Sequence, residues 1–213
     1  MTRTLLRLIA PTAAAVLLSA CNGILSGIYD EPETPVADGF GFQSGSTMTQ
    51  AGTLYIDATD YKVWTYIDFH SMTAEARGVD AEAPTAWDIA IHRYDAKTNG
   101  ASVIETAASG FGAQITPEGE FVSDVFTTDK IVTDMSTMMD GYLSYAESDY
   151  NPELSKWLNV DMSTMPPVYT PSRKVYLIKF TDATHAAVLL DNYMDDTGVK
   201  GFMTIKYIYP YIF

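Results

Sequence analysis

The sequence predicts a single all-β domain of antiparallel strands, carrying one long methionine-rich loop that contains a short helix. Three observations lead there. Short β-branched and aromatic runs are separated by Asp-rich breaks. The last forty residues read as three strands joined by turns. Once a leader of 20 residues is set aside, 193 of the 213 residues remain, enough for one domain with a sizeable core.

The strand pattern begins near Phe40. Leu54-Tyr55-Ile56-Asp57 and Val63-Trp64-Thr65-Tyr66-Ile67 are the first clear runs. Trp87 to His92 alternates, which places Trp87, Ile89 and Ile91 on one face and Asp88 and His92 on the other. Phe121-Val122 and Ile131-Val132 continue the rhythm, and Pro117-Glu118-Gly119 reads as a turn. At the C-terminal end, Lys174 to Phe180, His185 to Leu190 and Phe202 to Tyr209 form an expected meander. Asp182-Ala183-Thr184 and Asp195-Asp196-Thr197-Gly198 supply its turns. A short helix is expected at Pro152 to Leu158, with Asn151 as its N-cap and Pro152 in its first turn. The stretch from Met135 to Pro167 is otherwise poor in strand signal and reads as the long loop. It holds Met135, Met138, Met139, Met162 and Met165, five of the nine methionines that follow the leader. Long loops on compact β domains are more often functional than idle. The chain shows no convincing internal repeat.

The first residues read as a lipoprotein signal peptide, residues 1–20. Arg3 and Arg7 give a basic start, Leu8 to Leu18 an apolar core too short to span a bilayer, and Leu18-Ser19-Ala20-Cys21 a cleavage site of small residues before the only cysteine. Lipid on the Cys21 thiol would then be the anchor, since no later stretch reaches 18 apolar residues. Residues 21–38 form a flexible acidic tether punctuated by Gly23, Gly27, Pro32 and Pro35, and residues 39–213 the β domain. Without the leader, 11 basic residues face 27 acidic ones, a net charge of −16. Such a surface repels phosphate backbones, so nucleic acid is not expected as a partner.

Catalytic signatures are missing. No glycine-rich phosphate loop or nucleophile elbow is present, and His70, His92 and His185 stand too far apart for a zinc motif. With Cys21 lipidated, no thiol remains for catalysis or disulfides. The chain reads as a binding protein and not an enzyme.

Several blocks resemble the HmuY family of haem-binding lipoproteins. They are Trp87-Asp88-Ile89-Ala90-Ile91-His92-Arg93 with Thr98-Asn99-Gly100, Asp134-Met135-Ser136-Thr137-Met138-Met139, Leu154-Ser155-Lys156-Trp157-Leu158, and Ser163 through Tyr169. The ending, Tyr193-Met194 and Lys200-Gly201-Phe202-Met203-Thr204-Ile205 to Pro210, is similar to the family's Bacteroides-type members. The resemblance implies an all-β domain anchored at the outer-membrane surface. It would capture haem, in some members from host haemoproteins, and pass it to an outer-membrane receptor. Founding members hold the iron with two histidines, but no histidine lies between His92 and His185 here. Related members use two methionines. Met138 and Met165, 27 residues apart, are the implied axial ligands, with Met139 and Met162 as alternates. Tyr142 and Tyr169 are offered as stacking surface, and Lys156 and Arg173 as partners for the haem propionates. Neutral, soft thioether ligands raise the haem potential, so such a site favours ferrous iron. The competing reading is a surface lipoprotein that binds a glycan or another protein through the same methionine and aromatic loop.

Overall fold

The computed structural model describes residues 39–43 and 51–212. The expected signal peptide, the expected lipid acceptor Cys21 and the expected tether fall outside the described residues. The described residues form an all-β fold, and every strand pairing among them is antiparallel.

A seven-stranded sheet is ordered β1 (Gly41–Gln43), β2 (Ala51–Asp57), β15 (Lys200–Ile208), β14 (His185–Met194), β13 (Tyr176–Lys179), β7 (Ser102–Glu105) and β8 (Val122–Ser123). The expected C-terminal meander is its centre, β13-β14-β15. A four-stranded sheet is ordered β4 (Thr73–Gly78), β3 (Val63–Asp68), β5 (Ile89–His92) and β6 (Asp95–Thr98). Two ribbons complete the domain, β9 (Val125–Asp134) with β10 (Ser144–Tyr150), and β11 (Leu158–Asp161) with β12 (Val168–Pro171).

Period-2 alternation explains the layering. On β14, Ala186, Val188 and Leu190 join the central core, where they meet Ile67, Ile89 and Ile91 of the smaller sheet. Ala187 and Leu189 point the other way, into a second cluster with Ile115, Leu177 and Tyr211, covered by Phe111 and Phe121. The larger sheet is therefore apolar on both faces, which is why β13 and β14 read as nearly continuous hydrophobic runs. On β3 the alternation sends Ile67 to the central core and Trp64 and Tyr66 outward, where Ile131, Ala146 and Tyr150 of the β9–β10 ribbon cover them.

Two expectations change. Trp87 does not share a face with Ile89 and Ile91. It precedes β5 and turns outward to meet Tyr66 edge-on at 5.1 Å. The stretch from Met135 to Pro167 is not one loop but the tip of β9–β10, a 3-10 turn at Leu154–Trp157, and the β11–β12 hairpin. Its strands escape a pattern search because they are exposed ribbons: only Leu158 of β11 is buried, and no residue of β12 is.

Candidate functional site

Each methionine group sits on a hairpin rooted in the core. The first hairpin is the β9–β10 ribbon. Past the paired residues Asp134 and Ser144, the chain projects outward and residues 136–142 are exposed. A single 3-10 turn, Met138–Asp140, is closed by Gly141, which adopts φ +84° and donates its N–H to the Met138 carbonyl at 3.0 Å. The second hairpin is anchored by Leu154 and Trp157, both fully buried in the central core. Burying side chains of that size stabilises by about 1.5–3 kcal/mol each. The Trp157 indole also donates to the Tyr94 carbonyl at 2.7 Å. Asn151 acts as the expected cap, its Oδ1 accepting the N–H groups of Glu153 and Leu154, although the turn it starts is 3-10 rather than α.

The two tips repeat each other, contrary to the expectation of no internal repeat. Asp134 to Met138 and Asp161 to Met165 are both Asp-Met-Ser-Thr-Met. Their local structure repeats as well. Asp134 Oδ1 accepts the Ser136 N–H at 2.7 Å, and Asp161 Oδ1 accepts the Ser163 N–H at 2.8 Å. These are Asx turns, in which the carboxylate replaces a backbone acceptor and sets the bend. The serine amide and hydroxyl hold the Asp134 carboxyl below its ordinary range, and the serine hydroxyl and amide do the same for Asp161. The threonine hydroxyl donates within its own tip each time, Thr137 to the Tyr142 carbonyl and Thr164 to the Pro166 carbonyl. Met138 and Met165 thus occupy the same place in the repeated sequence, although Met138 opens a 3-10 turn and Met165 precedes the cis peptide bond to Pro166. A repeat of five residues is too short for the search for domain-scale repeats that the sequence invites. The shared bend makes it visible.

All the methionines proposed from sequence are accessible: Met138 at 40 % exposure, Met139 at 90 %, Met162 at 63 % and Met165 at 88 %. In the repeat, Met162 matches Met135, and Met139 has no counterpart. Tyr142 is exposed on the first tip. Tyr169 is already engaged, stacked on Tyr193 at 5.5 Å with the Lys200 ammonium 4.4 Å over its ring. Lys156 is ion-paired with Glu153 on the 3-10 turn, and Arg173 lies between β12 and β13 at φ +57°.

One turn links the two roots. Lys62, after β2, lines an open groove of about 670 Å3 with Val79, Thr133, Asp134 and Tyr145, at the foot of the first tip. Its neighbour Tyr61 has the Arg93 guanidinium 4.5 Å over its ring. Burial, then the nearby Tyr61 and despite Arg93, raises the Tyr169 phenol, which sits at the foot of the second tip. Lys200 reaches the Pro167 carbonyl at 3.5 Å. Sequence reading passed over Tyr61, Lys62 and Lys200 because nothing in their spacing marks them.

A separate histidine–aspartate cluster contains no methionine. The ligand atoms of Asp68, His70 and Asp88 lie within 4.8 Å of one another, a spacing compatible with a metal ion. Each is already engaged by protein. His70 Nδ1 is 3.0 Å from Asp88, which also accepts the Phe69 N–H at 2.7 Å, and Asp68 accepts the N–H groups of His70 and Ser71. The geometry is that of a hydrogen-bonded junction. His92 is buried, and its Nε2 lies 2.7 Å from the Tyr61 carbonyl.

A two-sheet antiparallel domain presenting two methionine-tipped hairpins is the class this fold defines. The sequence profile of the HmuY protein family matches residues 60–207. The chain belongs to the HmuY family. Among solved structures, one described as a HmuY-like heme binding protein from Bacteroides vulgatus shares 55 % identity, with a TM-score of 0.78. That match covers 82 % of this chain and all of the other. A structure described as a lipoprotein from Bacteroides fragilis shares 49 % identity over 84 % of this chain and all of the other, also at 0.78. An apo HmuY analogue from Tannerella forsythia is similar at 26 % identity and a TM-score of 0.64, over 74 % of this chain and 94 % of that one. No curated protein sequence matches the chain.

Proposed function

We propose that this protein is a lipid-anchored haem carrier at the outer-membrane surface, that it binds without catalysing a reaction, and that it holds the haem iron between the sulfurs of Met138 and Met165. Family membership and the heme-binding description of the 55 % identical B. vulgatus relative support haem capture. The lipoprotein description of the B. fragilis relative supports the anchor at Cys21.

The observation that carries the ligand pair is the repeated Asp-Met-Ser-Thr-Met bend. Two axial ligands must approach opposite faces of one porphyrin, and the repeat offers one exposed thioether at the same sequence place on each of two hairpins, after the same Asx turn. It matches Met138 with Met165 and leaves Met139 without a counterpart, while Met162, matched by Met135, stays the alternate. Binding would remove exposed thioethers and the apolar porphyrin face from water together. Haem would come from host haemoproteins and leave to an outer-membrane receptor, with the tips as the surface both partners meet.

The test is a titration of the protein lacking residues 1–21 with haem, with and without dithionite. The expected result is a saturable Soret shift, with tighter binding and sharper α and β bands on reduction. Met138→Ala and Met165→Ala should each change the spectrum. If both retain wild-type spectra and affinity in each oxidation state, the ligand pair is wrong. If the wild type shows no saturable shift, haem capture is wrong, and a glycan or protein ligand takes its place.

A further inference from the structure

The first hairpin tip is held by hydrogen bonds between its own backbone groups. The Met138 N–H donates to the Met135 carbonyl, Asp140 to Thr137 and Gly141 to Met138, each at 3.0 Å, and Tyr142 to Thr137 at 3.2 Å. The first three bonds each run from a residue to the one three places before it. Such turns stack the side chains of those two residues on one side of the chain, with their Cα atoms less than about 7 Å apart. Met135 and Met138 are therefore neighbours across one closed turn. Met138 is exposed and Met135 half-buried, and neither belongs to a core cluster among the described residues. Packing does not account for two thioethers at this place.

Thioether sulfur is neutral, soft and polarizable. It contributes little to a hard ion such as calcium or magnesium, which seeks oxygen, and binds soft copper(I) well. The acidic surplus of the chain, a formal net charge of −14, draws cations to the surface without choosing among them. Sulfur makes the choice. A methionine side chain has three rotatable bonds, so two sulfurs from one turn can close on a single ion.

We infer that Met135 and Met138 form a binding site on the first tip for a soft monovalent cation of the copper(I) class. The site does not rest on the haem reading, because both of its donors come from one hairpin, whereas the haem pair comes from two. The two readings meet at Met138. One sulfur cannot serve both ligands at once, so cation and haem oppose each other's binding. The second tip repeats the spacing in Met162 and Met165, but among the described residues no backbone bond closes that pair, and the bend rests on Asp161 and Thr164 instead. The first tip is the organised one.

The probe is silver nitrate, a redox-stable stand-in for copper(I), titrated in chloride-free buffer into the protein lacking residues 1–21, which has no thiol. Isotope-labelled methionine methyl groups are followed by NMR and assigned by single Leu replacements. The Met135 and Met138 signals should move together and saturate with one equivalent of silver. The signals of Met194 and Met203, both buried in the core, should stay fixed and report an intact fold. Met135→Leu should weaken silver binding at Met138 about tenfold or more, because a chelating pair becomes a lone donor. Met162→Leu should leave the first tip unchanged, and excess calcium should move neither signal. Separate midpoints for the two methyl groups, or wild-type affinity in Met135→Leu, would overturn the site. Protein preloaded with haem tests the link between the two readings. Exclusion of silver from Met138 supports both, whereas unhindered binding keeps the cation site and removes Met138 from the haem iron.

Discussion

The Nε2 of His70 lies 2.9 Å from Oδ2 of Asp182, and that contact joins the two sheets. His70 follows β3 of the four-stranded sheet, and Asp182 sits in the β13–β14 turn of the seven-stranded one. Asp88 holds the other ring nitrogen at 3.0 Å, Asp68 is 3.8 Å away, and the rings of Phe180 and Tyr209 flank the imidazole. Burial by itself lowers the His70 pKa, but the hydrogen bonds to Asp182 and Asp88 and their charges outweigh it and raise the value above 6.5. Asp182, exposed, is pushed down to about 2 by the Thr184 hydroxyl and amide and then by His70, so it stays ionised across the neutral range.

The sign of the pH dependence follows. A folded imidazole that binds its proton more tightly than a free one contributes fully below about pH 6.5, and that contribution fades as pH rises through the folded value. His70→Gln should therefore melt below wild type at pH 5.5, and the gap should close by pH 9. Because the junction is half-exposed, the gap at pH 5.5 should be small, about 2 °C. Thermal melts at the two pH values check this, and a gap that is constant or grows with pH would overturn it.

A second constraint lies at the start of β15. Gly201 adopts φ +111°, and its carbonyl accepts the Ala58 N–H at 2.8 Å. A Cβ there would stand 2.7 Å from Arg93 Nη1 and 2.9 Å from the Thr59 Cα. Both the backbone conformation and the space demand glycine. Gly201→Ala should destabilise by about 2–4 kcal/mol, combining backbone strain with displacement of the part-buried Arg93 guanidinium. Urea unfolding reads this directly. A loss below about 0.5 kcal/mol, the range of an ordinary surface substitution, would show that the neighbours yield freely.

What could be read beforehand divides along burial. Strands β2, β3, β5, β13, β14 and β15 carry the core, so their Leu, Ile, Val and Tyr alternation was legible in the residues themselves. Strand β4, Thr-Ala-Glu-Ala-Arg-Gly, is an edge strand with no fully buried residue and shows no such pattern. Strands β11 and β12 were missed for the same reason. At the candidate site, methionine enrichment picked out the segments that form the two hairpin tips, and the family resemblance proposed the pair. The cations did not follow: Lys156 is ion-paired with Glu153, and Lys62, before β3, and Lys200, the first residue of β15, come near the hairpin roots only through folding.

The first tip tests the separation between fold and function. Residues 136–142 are exposed and contribute nothing to the core clusters, while Asp134 and Ser144 close the ribbon below them. A two-residue Asn-Gly connection favours the hairpin twist and can replace residues 135–143 without disturbing that closing pair. The shortened protein should keep its melting temperature within about 3 °C, because no residue of the three core clusters is removed and loop closure becomes slightly easier. It should lose the wild-type haem spectrum, because one of the two repeated methionines has gone while the other remains on an intact β11–β12 hairpin. Replacing only the second tip, residues 162–167, should give the same loss for the mirror reason. Unchanged haem spectra in both shortened proteins would show that the ring binds elsewhere. A collapse in melting temperature would show that the tips hold the ribbons together.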